Sequence, residues 1–177
     1  PATNTVAGAT NRIAGVTNAE AQAPDTAVIS AARSHVDPTP PKPDAPEETL
    51  TVENSVARYT FTSHGGGMKL VELKKHRATI DCKDRSSATN RTPATLNTRA
   101  PVPALSLLGG EGLHGDGAFN LKRTADGVRA EKVLTNGIAV IKDFHLGTNY
   151  VLTATVRIEN RAGEAVRLPA QEWVVGT

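Results

Sequence analysis

The sequence is poor in the residues from which sites and staples are most easily read. Among 177 residues there is a single cysteine, Cys82, which excludes an internal disulfide and any cluster of thiolate metal ligands. Charge of one sign is missing as well. Twenty basic and 18 acidic residues are interspersed, for a formal net charge of +2, so no field of one sign exists to steer nucleic acid or anionic lipid. Apolar runs stay short, as at Ile138–Ile141, far below the roughly 20 residues that a membrane-spanning helix needs. The five histidines, His35, His64, His76, His114 and His145, never stand three to five residues apart, so zinc-ligand spacing is absent. No G-x-S-x-G turn offers a hydrolase nucleophile. The chain opens on Pro1 without a charged-then-apolar leader, and Ala21-Gln22-Ala23 has the outline of a cleavage site without its apolar run. Both features point to a sequence that begins inside a longer protein.

What is present falls into two regions, and 177 residues at 38% hydrophobic content suit one domain with a tail. Residues 1–48 are rich in Ala, Thr, Asn and Pro, lack aromatics, and show neither helical nor strand periodicity. Such a segment cannot bury enough surface to offset its ordering entropy and is expected to be a disordered linker, stiffest over Asp37–Pro46 where proline favours polyproline II. From Thr49 to Thr177 the pattern is one of short alternating runs between turn signals. Ala57, Tyr59 and Phe61 share one face against Arg58, Thr60 and Thr62. Tyr150, Leu152, Ala154, Val156 and Ile158 oppose Val151, Thr153, Thr155, Arg157 and Glu159. Val128–Leu134 and a run carrying Ile138, Val140, Phe144 and Leu146, interrupted by Lys142, precede it. Asp126-Gly127 and Asn136-Gly137 stand at the joints, where tight hairpins demand positive φ, so a meander is predicted. Asn160–Glu164 turns the chain into Ala165–Leu168, and Glu172–Val175 reads as a last strand. Ala78–Pro101 is predicted to be a long surface loop. No helix is expected after residue 49.

Each candidate site has a plain structural counterpart. Gly65-Gly66-Gly67 lacks the Lys-Ser/Thr pair and following helix of a phosphate loop, and is predicted to be a turn. Gly109–Gly117 has the outline of one calcium-binding nonapeptide, but it is unrepeated and His114 stands where an aspartate is wanted. Asp143 and Glu172 could cooperate in acid–base chemistry on a sugar only if the fold joined them, and strand carboxylates are more often ion-paired. Trp173 could stack on a sugar ring, although a lone tryptophan in a terminal strand is more often core. No catalytic, cofactor-binding or metal-binding residue is assigned.

The order of these runs resembles the large periplasmic domain of the YidC membrane protein insertase family. Thr49–Asn54 with Ala57–Gly67 is similar to that family's entry strands and glycine turn, and Met68–Leu73 to the strand after it. Asp143–Tyr150 and the alternating run to Asn160, closed by Arg161–Ala165, resemble its later strand-turn-strand unit. The likeness covers roughly residues 49–177, with the front region in the place of the tether after the first membrane span. It implies an antiparallel β-supersandwich of the galactose-mutarotase type, cut short at its C-terminus and therefore left with an unpaired edge. It also implies a bacterial inner-membrane protein with this segment on the periplasmic side, an accessory role without turnover or cofactor, and as partners the Sec translocon, its accessory subunits and nascent membrane proteins. A carbohydrate-binding or aldose-epimerase-like exported sandwich is the alternative, since kinship of fold does not transfer chemistry.

Overall fold

Residues 42–78, 92–108 and 112–175 are described by the computed structural model of the chain. They hold β1 (Thr49–Glu53), β2 (Ala57–Thr62), β3 (Gly67–Arg77), β4 (Pro93–Leu96), β5 (Leu107–Leu108), β6 (Asn120–Arg123), β7 (Gly127–Val133), β8 (Ile138–Leu146), β9 (Leu152–Asn160) and β10 (Glu172–Trp173). There is no helix among them. Two four-stranded sheets, ordered β1-β2-β3-β4 and β6-β7-β8-β9, are antiparallel throughout, and β5 pairs with β10 in a short ribbon. The chain is thus mostly β and sandwich-like, as the alternating pattern predicts.

The period-two faces explain how the sheets meet. Ala57, Tyr59 and Phe61 of β2 are buried, and Val52 and Val71 join them from the flanking strands. The opposing sheet contributes Val128 and Ala130 of β7 with Val140 and Phe144 of β8, and these residues form one apolar cluster with Phe119. At its centre the rings of Phe61 and Phe144 lie 4.7 Å apart at 48°, the tilted arrangement that aromatic quadrupoles favour. A register shift beside Phe61 lets Met68 and Val71 both turn inward, so the strict alternation of β3 breaks there. Thr62, assigned by alternation to the wet face, is buried because the preceding strap covers it: its hydroxyl donates to Glu47 Oε1 at 2.5 Å.

The two signalled hairpins use their glycines differently. In Leu134–Gly137 the expected geometry is found: Gly137 has φ +79°, and Asn136 Oδ1 accepts from the Ile138 amide at 3.1 Å. At Asp126-Gly127 it is not, since Gly127 is the first residue of β7 and lacks positive φ. Its role is close approach, for a Cβ there would stand 1.8 Å from the Phe144 carbonyl oxygen. Gly127→Ala is accordingly expected to destabilise by about 1–3 kcal/mol, the range of overpacking substitutions. Urea denaturation reads this directly, and a midpoint equal to that of the unmutated chain would disprove the close approach.

Further expectations change. Pro93–Leu96, inside the region read as loop, is a strand against β3; Pro93 takes its first position, where a missing amide removes little from the ladder. Residues 79–91 of that region, with Cys82, lie outside the described residues, as do residues 1–41 of the expected linker. Ala165–Leu168 forms no strand, and the last strand contracts to Glu172–Trp173, with Val174 still exchanging backbone hydrogen bonds with Leu105 and Ser106. Residues 42–48, the end of the expected linker, are held against the sheet: Pro43 is buried, and Glu48 exchanges hydrogen bonds with Ser63 at 2.8 and 2.9 Å.

Candidate functional site

A groove of about 460 Å³ runs over the outer face of β1, β2 and β3. Its floor is Thr49, Thr60, Thr62 and Leu70, its walls are Glu47 of the 42–48 strap and the turn at 97–103, Glu47 and Lys69 bring charge to it, and His64 lines it as well. The strap positions these groups. Lys69 Nζ reaches both Glu47 oxygens at 2.7 Å, and with Thr62 it holds the Glu47 carboxyl below the usual carboxylate range. His64, on the glycine turn, donates from Nε2 to the Ala45 carbonyl at 2.9 Å. A histidine and a glutamate therefore converge here, but the carboxylate is pinned as an anion by a lysine and the ring nitrogen is taken by backbone. That arrangement fixes the strap: Lys69 and Thr62 engage the Glu47 carboxylate, and the backbone engages one ring nitrogen of His64. The lining holds hydroxyls and no Phe, Tyr or Trp ring.

Directly beneath the glycine turn lies the least usual group of the fold. Lys142 sits on the inner face of β8 between Val140 and Phe144 and has no exposed surface. Its Nζ donates to the carbonyls of Gly65 at 2.6 Å and Leu105 at 2.8 Å, and it stands 4.4 Å from the Phe119 ring centroid and 5.4 Å from that of Trp173. Both carbonyls belong to residues in left-handed conformation, Gly65 at φ +74° and Leu105 at +64°. Desolvation lowers the Lys142 pKa to about 7. The lysine ties the β2–β3 turn and the 103–106 turn to the opposite sheet. The signal for it in the sequence is the single charge that interrupts the Ile138–Leu146 apolar face.

The residues singled out from sequence are dispersed. Asp143 lies on the outer face of β8 between Arg129 at 2.6 Å and Arg157 at 3.1 Å, and the Arg129 guanidinium holds its carboxyl below the usual range. The chain of charges continues through Glu159 and Arg161 to Glu131, so Asp143 is a strut in an ion ladder across β7, β8 and β9. Glu172 is exposed on β10, in the β5–β10 ribbon rather than beside Asp143 on β8, and pairs across the strands with Leu108. Trp173 is partly buried and packs against both apolar clusters, which is its core role. Gly65 and Gly66 form the predicted turn, and a Cβ on Gly66 (φ +56°) would meet Phe119 at 2.4 Å. In the nonapeptide-like stretch, of which residues 109–111 are outside the described residues, the Asp116 carboxylate is taken by Lys132. His76 meets Tyr150 Oη at 3.0 Å, and His145 donates to Asp126 at 2.7 Å. Among the described residues no group of three or more His, Cys, Asp or Glu side chains could hold a metal ion. No protein-family model matches the chain, and no curated protein or solved structure matches it.

Proposed function

We propose that the chain is the periplasmic accessory domain of a YidC-type insertase, a scaffold without turnover that assists insertion and folding of inner-membrane proteins. The observation that carries this reading is the placement of the resembling stretches. Thr49–Leu73 forms β1, β2, the glycine turn and most of β3, and Asp143–Asn160 spans the end of β8, its turn and β9, in two facing antiparallel sheets. The mutarotase-type supersandwich is the finer form of the same proposal. The ionisable groups agree with a scaffold: Asp143, Glu47, Asp116 and Lys142 are all engaged in holding strands, straps or turns. The reading locates the segment on the periplasmic side of a bacterial inner membrane and makes the Sec translocon, its accessory subunits and emerging membrane proteins its partners.

The test is a binding measurement with the immobilised chain and detergent-solubilised Sec translocon, with and without its accessory subunits. Retention that depends on those subunits is expected, and equal background with both preparations sinks the proposal. A parallel titration with common hexoses separates the alternative: saturable binding that Lys69→Ala abolishes would transfer the groove to a sugar.

A further inference from the structure

The edges of the two sheets differ in how they are closed. The β1 edge is met by Arg123 of β6, whose guanidinium donates to the Thr51 carbonyl. β4 is four residues long and begins with proline, and β6 is four residues long with Lys122 and Arg123 on it. Short strands, prolines and basic side chains are the usual protections of an edge. β9 is neither short nor broken by proline: it runs nine residues, Leu152–Asn160, with Arg157 its one basic side chain, in unbroken register with β8 and with no strand on its other side among the described residues.

The hydrogen bonds fix which groups this edge offers. Gly147 donates to the Val151 carbonyl and Arg161 to the Gly137 carbonyl, so odd-numbered residues turn their amides and carbonyls toward β8. The outward groups therefore belong to Leu152, Ala154, Val156, Ile158 and Asn160. Their apolar side chains form the inner row of the strand, and that row is only partly buried. A strand added here must be apolar at alternate positions facing that row and polar between them, without bringing like charges against Arg157 and Glu159.

β9 itself meets that specification. We infer that β9 is a self-pairing edge that joins two copies of this chain through an antiparallel β9–β9 contact with its two-fold axis at Val156. In that register Val156 faces Val156, Ala154 faces Ile158 and Leu152 faces Asn160, which uses every outward amide and carbonyl of the strand. On the solvent side Thr155 faces Arg157 and Thr153 faces Glu159, so no like charges oppose. A slip that centres the axis on Arg157 would set two arginines against each other.

The whole chain, followed by light scattering or sedimentation over a concentration series, is expected to pass from monomer to dimer. Val156→Pro removes an outward amide in each copy while leaving the ladder to β8 whole, and is expected to weaken the dimer by roughly tenfold or more without lowering the melting temperature at dilutions where both proteins are monomeric. Thr155→Lys, opposite Arg157, is expected to weaken it and Thr155→Glu to strengthen it. A chain that stays monomeric at every concentration overturns the inference, as does a dimer indifferent to both Val156→Pro and Thr155→Lys. A monomer whose β9 instead captures an extended synthetic peptide of alternating polarity also overturns it and gives the edge to a foreign strand.

Discussion

Phe144→Ala is expected to destabilise the domain by about 3–5 kcal/mol, the range for deleting a buried phenyl ring from a close-packed core. Phe144 has no exposed surface, lies between Val128 of β7 and Ala154 of β9 in the register, and stacks at 4.7 Å on Phe61 of the other sheet. β8 is held on both sides by full ladders, so its backbone cannot move inward to fill the space, and most of the cavity persists. Domains of this size have about 5–15 kcal/mol in total, so the urea midpoint should fall by a large fraction. Phe61→Ala in the same background should cost less than it does alone, because the ring pair contributes about 0.5–1.5 kcal/mol that the first substitution has already removed. Full additivity of the two losses would show that the rings are not coupled, and a loss under about 1 kcal/mol for Phe144→Ala would contradict a close-packed centre.

The parts of the fold that were legible in the sequence are those where one face is buried and the pairing is local. Ala57, Tyr59 and Phe61, the Leu152–Ile158 row and the Asn136-Gly137 hairpin all follow from period two and from turn chemistry. What was not legible depends on distant partners. Gly127 is required by the Phe144 carbonyl 17 positions away along a paired strand, which no dipeptide rule contains. Residues 42–48 have linker composition, yet Glu47 is held by Thr62 and Lys69, which the alternation puts on the solvent side of the hairpin. β4 carries no signal in the sequence because its four residues, two half-buried and two exposed, show no alternation, and only β3 gives it a partner. The groove is assembled from the strap, the hairpin and the 97–103 turn, and so it is a product of tertiary structure alone. Lys142 lies between these cases: its break in an apolar face was visible, but the two carbonyls that it serves come from turns 77 and 37 residues away.

That lysine gives the sandwich a pH dependence of unusual sign. Burial lowers the Lys142 pKa from its ordinary 10.5 to about 7, so between those values the unfolded chain holds a proton that the folded chain has released. Stability must then rise with pH from about 7 upward, and the full penalty of the buried charge is present below 7. Each pH unit across that interval contributes up to about 1.4 kcal/mol, a few kcal/mol altogether. The uncharged amine suits its site: two N–H groups remain for the Gly65 and Leu105 carbonyls, and no desolvated charge is left. Tyr59, whose phenol burial pushes upward from 10.0, works in the opposite direction only above pH 10, where the unfolded chain ionises first. Lys142→Met keeps the apolar stem but removes both donors. Its stability should therefore lie closest to that of the unmutated chain near pH 6, where loss of the buried charge offsets two orphaned carbonyls at about 1–3 kcal/mol each, and fall progressively behind toward pH 9.5. Urea denaturation at pH 6, 8 and 9.5 measures the gap between the two proteins. A gap that stays constant over that range would mean that Lys142 titrates alike in both states and that the tie between the sheets carries no proton linkage.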